Sequence, residues 1–90
     1  MKKDETYANG QRFLNLENDV LTYYFKDGLI KAHGPYVNDL MEGKWTFYKK
    51  GQILWQIGHF KAGVKNGSWT RYDVLGKIEY YETFEDGKIK

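Results

Sequence analysis

The segment Gly43–Lys44–Trp45–Thr46–Phe47–Tyr48 returns 24 residues later as Gly67–Ser68–Trp69–Thr70–Arg71–Tyr72. One step of 24 back, Asp19–Val20–Leu21–Thr22–Tyr23–Tyr24 keeps the Thr and the final Tyr and carries Leu in place of Trp. A fixed period of this length constrains the fold more than composition does. Each unit is too small to bury its own apolar face, so successive units must stack. From residue 19 to residue 90 the chain divides into three blocks, 19–42, 43–66 and 67–90, with residues 1–18 ahead of them as a capping strand or hairpin.

Each block reads as one β-hairpin. A first strand (Val20–Tyr24, Lys44–Tyr48, Ser68–Tyr72) is followed by a turn closing on Gly28, Gly51 or Gly76. A second strand then runs over Leu29–Tyr36, Gln52–Phe60 and Lys77–Phe84. It ends on Tyr36, Phe60 and Phe84, again 24 apart, before a second turn at Val37-Asn38-Asp39, Lys61-Ala62-Gly63 and Glu85-Asp86-Gly87. Asp19, Gly43 and Gly67 share one register, and Asp39, Gly63 and Gly87 another. Glycine recurs too often for helices, and the residues between are aromatic or β-branched. Upstream, Asn9-Gly10 flanked by Tyr7 and Phe13-Leu14 predicts a short hairpin with a type I′ turn. In the middle block the second strand takes an odd number of steps from Ile53 to Phe60, which would flip one end to the wrong face. This predicts a β-bulge within Trp55–His59, with Gly58 its natural place.

Residues 19–90 resemble the MORN-repeat family, most closely its bacterial variant form. Gly43, Trp45, Tyr48, Gly51, Phe60 and Gly63 carry the likeness, as do Gly67, Trp69, Tyr72, Gly76, Phe84 and Gly87. Block 19–42 departs from it at Asp19, Leu21 and Asp39. The resemblance implies an all-β fold: a single-layer, twisted antiparallel sheet of successive β-hairpins. It also implies a scaffold that docks protein segments or lipid on a sheet face. Many proteins of the variant form are antitoxin-like or immunity-like components.

Residues that recur at the period serve the stacking of hairpins, so Tyr24, Tyr48 and Tyr72 are expected to be structural. Trp45 and Trp69 are expected to be structural as well, with rims that reach a partner. Positions that break the period are better candidates for function. Arg71 stands where Tyr23 and Phe47 stand, and Trp55 aligns with Tyr80 and with the small Ala32. Arg beside Trp and Tyr is the composition enriched at binding hot spots. The candidate partner surface is therefore Tyr23, Trp45, Trp55, Trp69, Arg71 and Tyr80. Block 43–66 carries +5 through Lys44, Lys49, Lys50, Lys61 and Lys65, although the whole chain is only +2. These lysines form a candidate rim for an acidic partner or anionic lipid headgroups.

No constellation for catalysis stands out. There is no cysteine, Ser68 is the only serine, and His33 and His59 fall out of register with each other. No P-loop, dinucleotide fingerprint or metal-ligand spacing occurs. A charge of +2 with aromatics already required by the period argues against nucleic acid. The expected function is thus a non-catalytic protein-binding module without metal or cofactor, possible roles including neutralisation of a toxin or effector by occlusion. The alternative is a peripheral membrane-surface module. Met1–Thr6 has no apolar run behind it and no apolar stretch approaches membrane-spanning length, so a cytoplasmic protein is expected. Charges on the last strand, Glu79, Glu82, Glu85, Asp86, Lys88 and Lys90, favour a monomer by discouraging edge pairing, a dimer through the open aromatic face being the alternative.

Overall fold

A computed structural model of the chain describes residues 6–90; Met1–Glu5, used above in setting aside a leader sequence, lie outside the described residues. Ten strands follow one another: β1 (Leu14–Glu17), β2 (Val20–Tyr24), β3 (Ile30–Val37), β4 (Leu40–Met41), β5 (Gly43–Lys49), β6 (Ile53–Lys61), β7 (Val64–Lys65), β8 (Gly67–Tyr72), β9 (Ile78–Glu85) and β10 (Lys88–Ile89). They form one open antiparallel sheet in the order β1-β2-β3-β5-β6-β8-β9-β10, with short β4 on β3 and short β7 on β6. No helix occurs among the described residues. The six longer strands from β2 to β9 match the predicted first and second strands to within a residue or two.

Two kinds of turn alternate. Asn18-Asp19, Asn38-Asp39, Ala62-Gly63 and Asp86-Gly87 each place two consecutive residues at positive φ, the type I′ geometry that matches strand twist. Wider turns span Tyr7–Gln11, Phe25–Leu29 and Asp73–Lys77. In each, the amide of Gly10, Gly28 or Gly76 donates to the carbonyl three residues back, and the first and last residues are also bonded. Asn9 is not at positive φ. The Asn9-Gly10 hairpin therefore exists, but its turn is a four-residue turn closed by a left-handed glycine and not type I′. Asp19 also differs from expectation. It is the second residue of a type I′ turn, the place held by Asp39, Gly63 and Gly87, and so does not play the part of Gly43 or Gly67.

The predicted bulge falls at Trp55, not Gly58. Phe47 pairs with Gln56 and Tyr48 with Leu54, leaving Trp55 as the extra residue. It is not peculiar to the middle hairpin: Lys31 is passed over between Tyr23↔Ala32 and Tyr24↔Ile30, and Glu79 between Arg71↔Tyr80 and Tyr72↔Ile78. The odd step count arose because Leu54, not Ile53, stands opposite Tyr48. Ile53 is an added pair with Lys49 before the turn.

Directly paired residues share a face, so the registers define rows across the sheet. One row runs Leu21, Gly34, Trp45, Gly58, Trp69, Glu82, in which Leu21–Gly34, Trp45–Gly58 and Trp69–Glu82 are register pairs. Between them, each Trp lies over the glycine of the preceding hairpin; a Cβ at Gly34 would come to 2.5 Å from the Trp45 ring, and one at Gly58 closer still to that of Trp69. The indole N–H groups are satisfied in the same way, Trp45 donating to the Pro35 carbonyl (2.8 Å) and Trp69 to that of His59 (3.2 Å). This is why the glycines stand at 34 and 58: the ring needs the space of an absent side chain. All five core residues, Leu21, Ala32, Trp45, Trp69 and Phe84, lie on this face. Among the described residues no second layer covers it. Tyr23, Phe47 and Phe60 pack edge-on or tilted against Trp45, while Phe47 stacks on Trp69 and Phe60 and Phe84 meet it edge-on, so the rings bury one another. Burial of an aromatic to this degree makes truncation to Ala cost about 3–5 kcal/mol. The opposite face has a middle row of Thr22, His33, Thr46, Ile57, Thr70 and Tyr81, in which Ile57 alone is an aliphatic side chain.

Candidate functional site

Beside the Trp–Gly row runs a second row on the same face: Leu14, Tyr23, Ala32, Phe47, Gln56, Arg71, Tyr80. It crosses seven strands, roughly 30 Å at about 4.8 Å per strand. Three of the predicted surface residues, Tyr23, Arg71 and Tyr80, therefore lie in one line. Trp55 joins them through the bulge, because two residues then face the single residue Phe47 and the first is turned toward its side. Its ring centroid is 5.7 Å from the Arg71 guanidinium carbon, and that of Tyr80 is 5.0 Å from it on the paired strand. Arg71 Nε–H also reaches the Gln56 side-chain oxygen at 3.5 Å. The guanidinium is thus braced by two rings and an amide while remaining only half-buried.

Toward the N-terminal end of this row the face dips into a cleft of about 300 Å³, lined by Tyr23, Lys31, Ala32, Met41, Phe47, Tyr48 and Trp55. The small Ala32 forms its floor, since the larger Gln56 and Tyr80 hold the matching positions of the later hairpins. A cleft at the small end of ligand-pocket volumes suits an anchoring side chain or two of a protein segment. Lys31 and Trp55, the bulge residues of β3 and β6, are both among its lining, and the Lys31 ammonium lies over the Phe25 ring at 5.8 Å.

The remaining candidates divide. Trp45 has no accessible surface and Trp69 only 6%, so both support the sheet from within and neither offers a rim to a partner. The five lysines do not share one surface. Lys44 pairs with His59 on the opposite face, Lys49 and Lys50 stand at the β5–β6 turn, and Lys61 at the far turn. Lys65 lies over the rings of Trp69 (4.5 Å) and Phe84 (4.8 Å), and one period earlier Met41 packs against the cluster of Leu21, Ala32 and Trp45. The lysine rim expected from charge counting is thus dispersed, because it ignored the facing of each strand residue.

His59 Nδ1 is 3.0 Å from the Ser68 carbonyl and 3.4 Å from its hydroxyl. A carbonyl can only accept, so the shorter contact suits the tautomer with the proton on Nδ1, in which that nitrogen has no lone pair for the Ser68 hydroxyl. His33 stacks on Tyr48 at 6.1 Å. Among the described residues no group of three His, Asp or Glu side chains is placed to hold a metal ion, and no helix is long and apolar enough to cross a membrane.

Phe47, Gln56, Ala32 and Met41 belong to the surface but were not singled out for it in the sequence. Register pairing was the missing signal, since it alone shows that positions 32, 47, 56, 71 and 80 form a line. No protein-family model, no curated protein and no solved structure matches the chain.

Proposed function

We propose that the chain is a non-catalytic protein-binding module, built as three MORN-like hairpin units after an N-terminal cap, that binds a partner along the Tyr23–Tyr80 row. The observation that carries this reading is the Arg71 guanidinium set between Trp55 and Tyr80 at the end of an aromatic line and beside a cleft. Apolar anchors in the cleft would give affinity and the braced cation would give register against an acidic or carbonyl-rich segment. Occlusion of a toxin or effector surface is one use of such a face. The lysine placement favours no flat lipid-facing plane, so the membrane-surface alternative is not carried forward.

The experiment is affinity capture from cell extract on the immobilised chain, comparing wild type with Trp55→Ala, Arg71→Ala and, on the other face, Lys44→Ala. A protein retained by wild type and Lys44→Ala but lost by the other two, with melting temperatures held within a few degrees, supports the reading. Retention by all four forms, or loss that tracks unfolding, would count against it.

A further inference from the structure

The row that alternates Leu21, Gly34, Trp45, Gly58, Trp69 ends on Glu82, where the alternation would place a third glycine. This bears on the free edge of β9. Inside the sheet, β5 joins β3 through Ala32↔Phe47 and His33↔Thr46, and β8 joins β6 through Gln56↔Arg71 and Ile57↔Thr70. One period on, the same positions of β9 are Tyr80 and Tyr81, and no strand lies beside them among the described residues. They are 38% and 59% exposed, and Ile78 is 62% exposed, whereas Ala32 is 5% exposed.

The edge therefore presents the backbone pattern that twice receives a strand, with bulkier apolar side chains. It cannot receive one of the same kind. A Trp there would need to lie over residue 82 as Trp45 and Trp69 lie over Gly34 and Gly58, and Glu82 fills that space. The Glu82 side chain is half-buried and makes no hydrogen bond or ion pair among the described residues. The inward-facing Glu82 and the bulge at Glu79 guard this edge against an apolar strand; β9 is nevertheless eight residues long and leaves Ile78, Tyr80 and Tyr81 standing out.

We propose that the β9 edge docks an extended segment of another protein, added antiparallel as a further strand, with Lys or Arg opposite Glu82 where a sister strand would carry Trp. Main-chain bonds at Tyr80 and Tyr81 supply affinity, and the residue facing Glu82 supplies selectivity. A second copy of this chain is a poor occupant. Its Trp-bearing strands meet Glu82, and β9 against β9 with Tyr81 facing Tyr81 sets the uncharged Tyr80, not a cation, opposite Glu82. The site shares Tyr80 with the end of the Tyr23–Tyr80 row but lies apart from the cleft over Ala32, and it does not rest on the function proposed for that row.

The test is a titration of the whole chain, followed by amide NMR, with two synthetic octapeptides copying residues 66–73. One is unaltered and one carries Trp69→Lys. The Trp69→Lys peptide is expected to shift the amides of Tyr80–Thr83 and to bind about tenfold more tightly than the unaltered peptide. Glu82→Gly in the chain should reverse that order by opening the slot for Trp. Glu82→Gln should weaken the Trp69→Lys peptide severalfold and remove its salt dependence. Equal binding of the two peptides, no shifts on β9 with either, or an order unchanged by Glu82→Gly overturns the proposal. So does light scattering that shows β9 already occupied in a dimer. Shifts confined to Phe47 and Trp55 would support the cleft and overturn the edge.

Discussion

The indole of Trp69 lies on the backbone of Gly58, so close that no Cβ fits between them. Gly58→Ala should therefore destabilise the sheet, although Ala is ordinarily a small change in a strand. The ring cannot shift freely, because Phe47 and Phe60 pack against it at 5.8 and 5.4 Å. Overpacking of this kind costs about 1–3 kcal/mol or somewhat more. Urea unfolding followed by far-ultraviolet circular dichroism should show a lower midpoint for Gly58→Ala and for Gly34→Ala. Gly51→Ala, where a Cβ meets nothing within 4 Å, should lose only the cost of a left-handed alanine. Equal losses at all three would mean that the Trp–Gly fit is not what holds the hairpins together.

Gln52 sits at φ 63 in the register position that Gly28 and Gly76 hold in the other wide turns. A left-handed residue with a Cβ is strained by about 1 kcal/mol, partly offset by the greater unfolded-state freedom of Gly. Gln52→Gly is expected to stabilise by a few tenths to about 1 kcal/mol, a rise of up to about 4–8 °C in melting temperature for a domain of this size. A fall in melting temperature would show that the turn is shaped by Gly51 alone.

The period made the six long strands and both classes of turn readable, because a glycine or Asn/Asp at positive φ and a Tyr closing each first strand recur in sequence. It failed at the N-terminus for a physical reason. Asn18-Asp19 and Asn38-Asp39 are equivalent turns only 20 residues apart, since no short strand like β4 lies between Asp19 and β2. The period of 24 thus gave Asp19 the place of Gly43 and Gly67, and the pairing of the capping strand β1 with β2 lay outside it. The site was legible as a set of residue types at Trp55, Arg71 and Tyr80. That Trp55 would reach Arg71 was not legible, because it depends on the bulge turning Trp55 toward Phe47. Gly58 reads in sequence as a bulge glycine, whereas it is the Trp69 indole above it that requires the missing side chain.

Arg71 and Trp55 should be energetically coupled. With the guanidinium carbon 5.7 Å from the indole centroid at a half-buried site, a double-mutant cycle of Arg71→Met and Trp55→Leu is expected to give about 0.5–1 kcal/mol of interaction. Arg71→Lys should retain only part of it, since the planar group that stacks is lost. A coupling indistinguishable from zero in urea unfolding would mean that the two side chains are neighbours without attraction, each free to turn to a partner.

Glu42 reaches across to the next hairpin, where its carboxylate accepts a 2.6 Å hydrogen bond from the Ala62 amide. One period later, Asn66 accepts from the Asp86 amide at 3.1 Å. Both donors open a type I′ turn at φ near 50, and beside each the following glycine amide donates to the backbone of the preceding short strand. These lateral bonds tie one turn to the next along the rim. Because Ala62 is exposed, water can replace the carboxylate, and Glu42→Ala should cost only about 0.5–1.5 kcal/mol overall. Locally the effect should be larger. Amide exchange at Ala62 and Gly63 is expected to quicken about tenfold in Glu42→Ala, while Ile57 and Gly58 in the middle of β6 keep their protection. Glu42→Gln, which keeps an acceptor oxygen, should fall between the two. Unchanged exchange at Ala62 would mean that the Gly63 bond to Met41 holds the rim without help from Glu42.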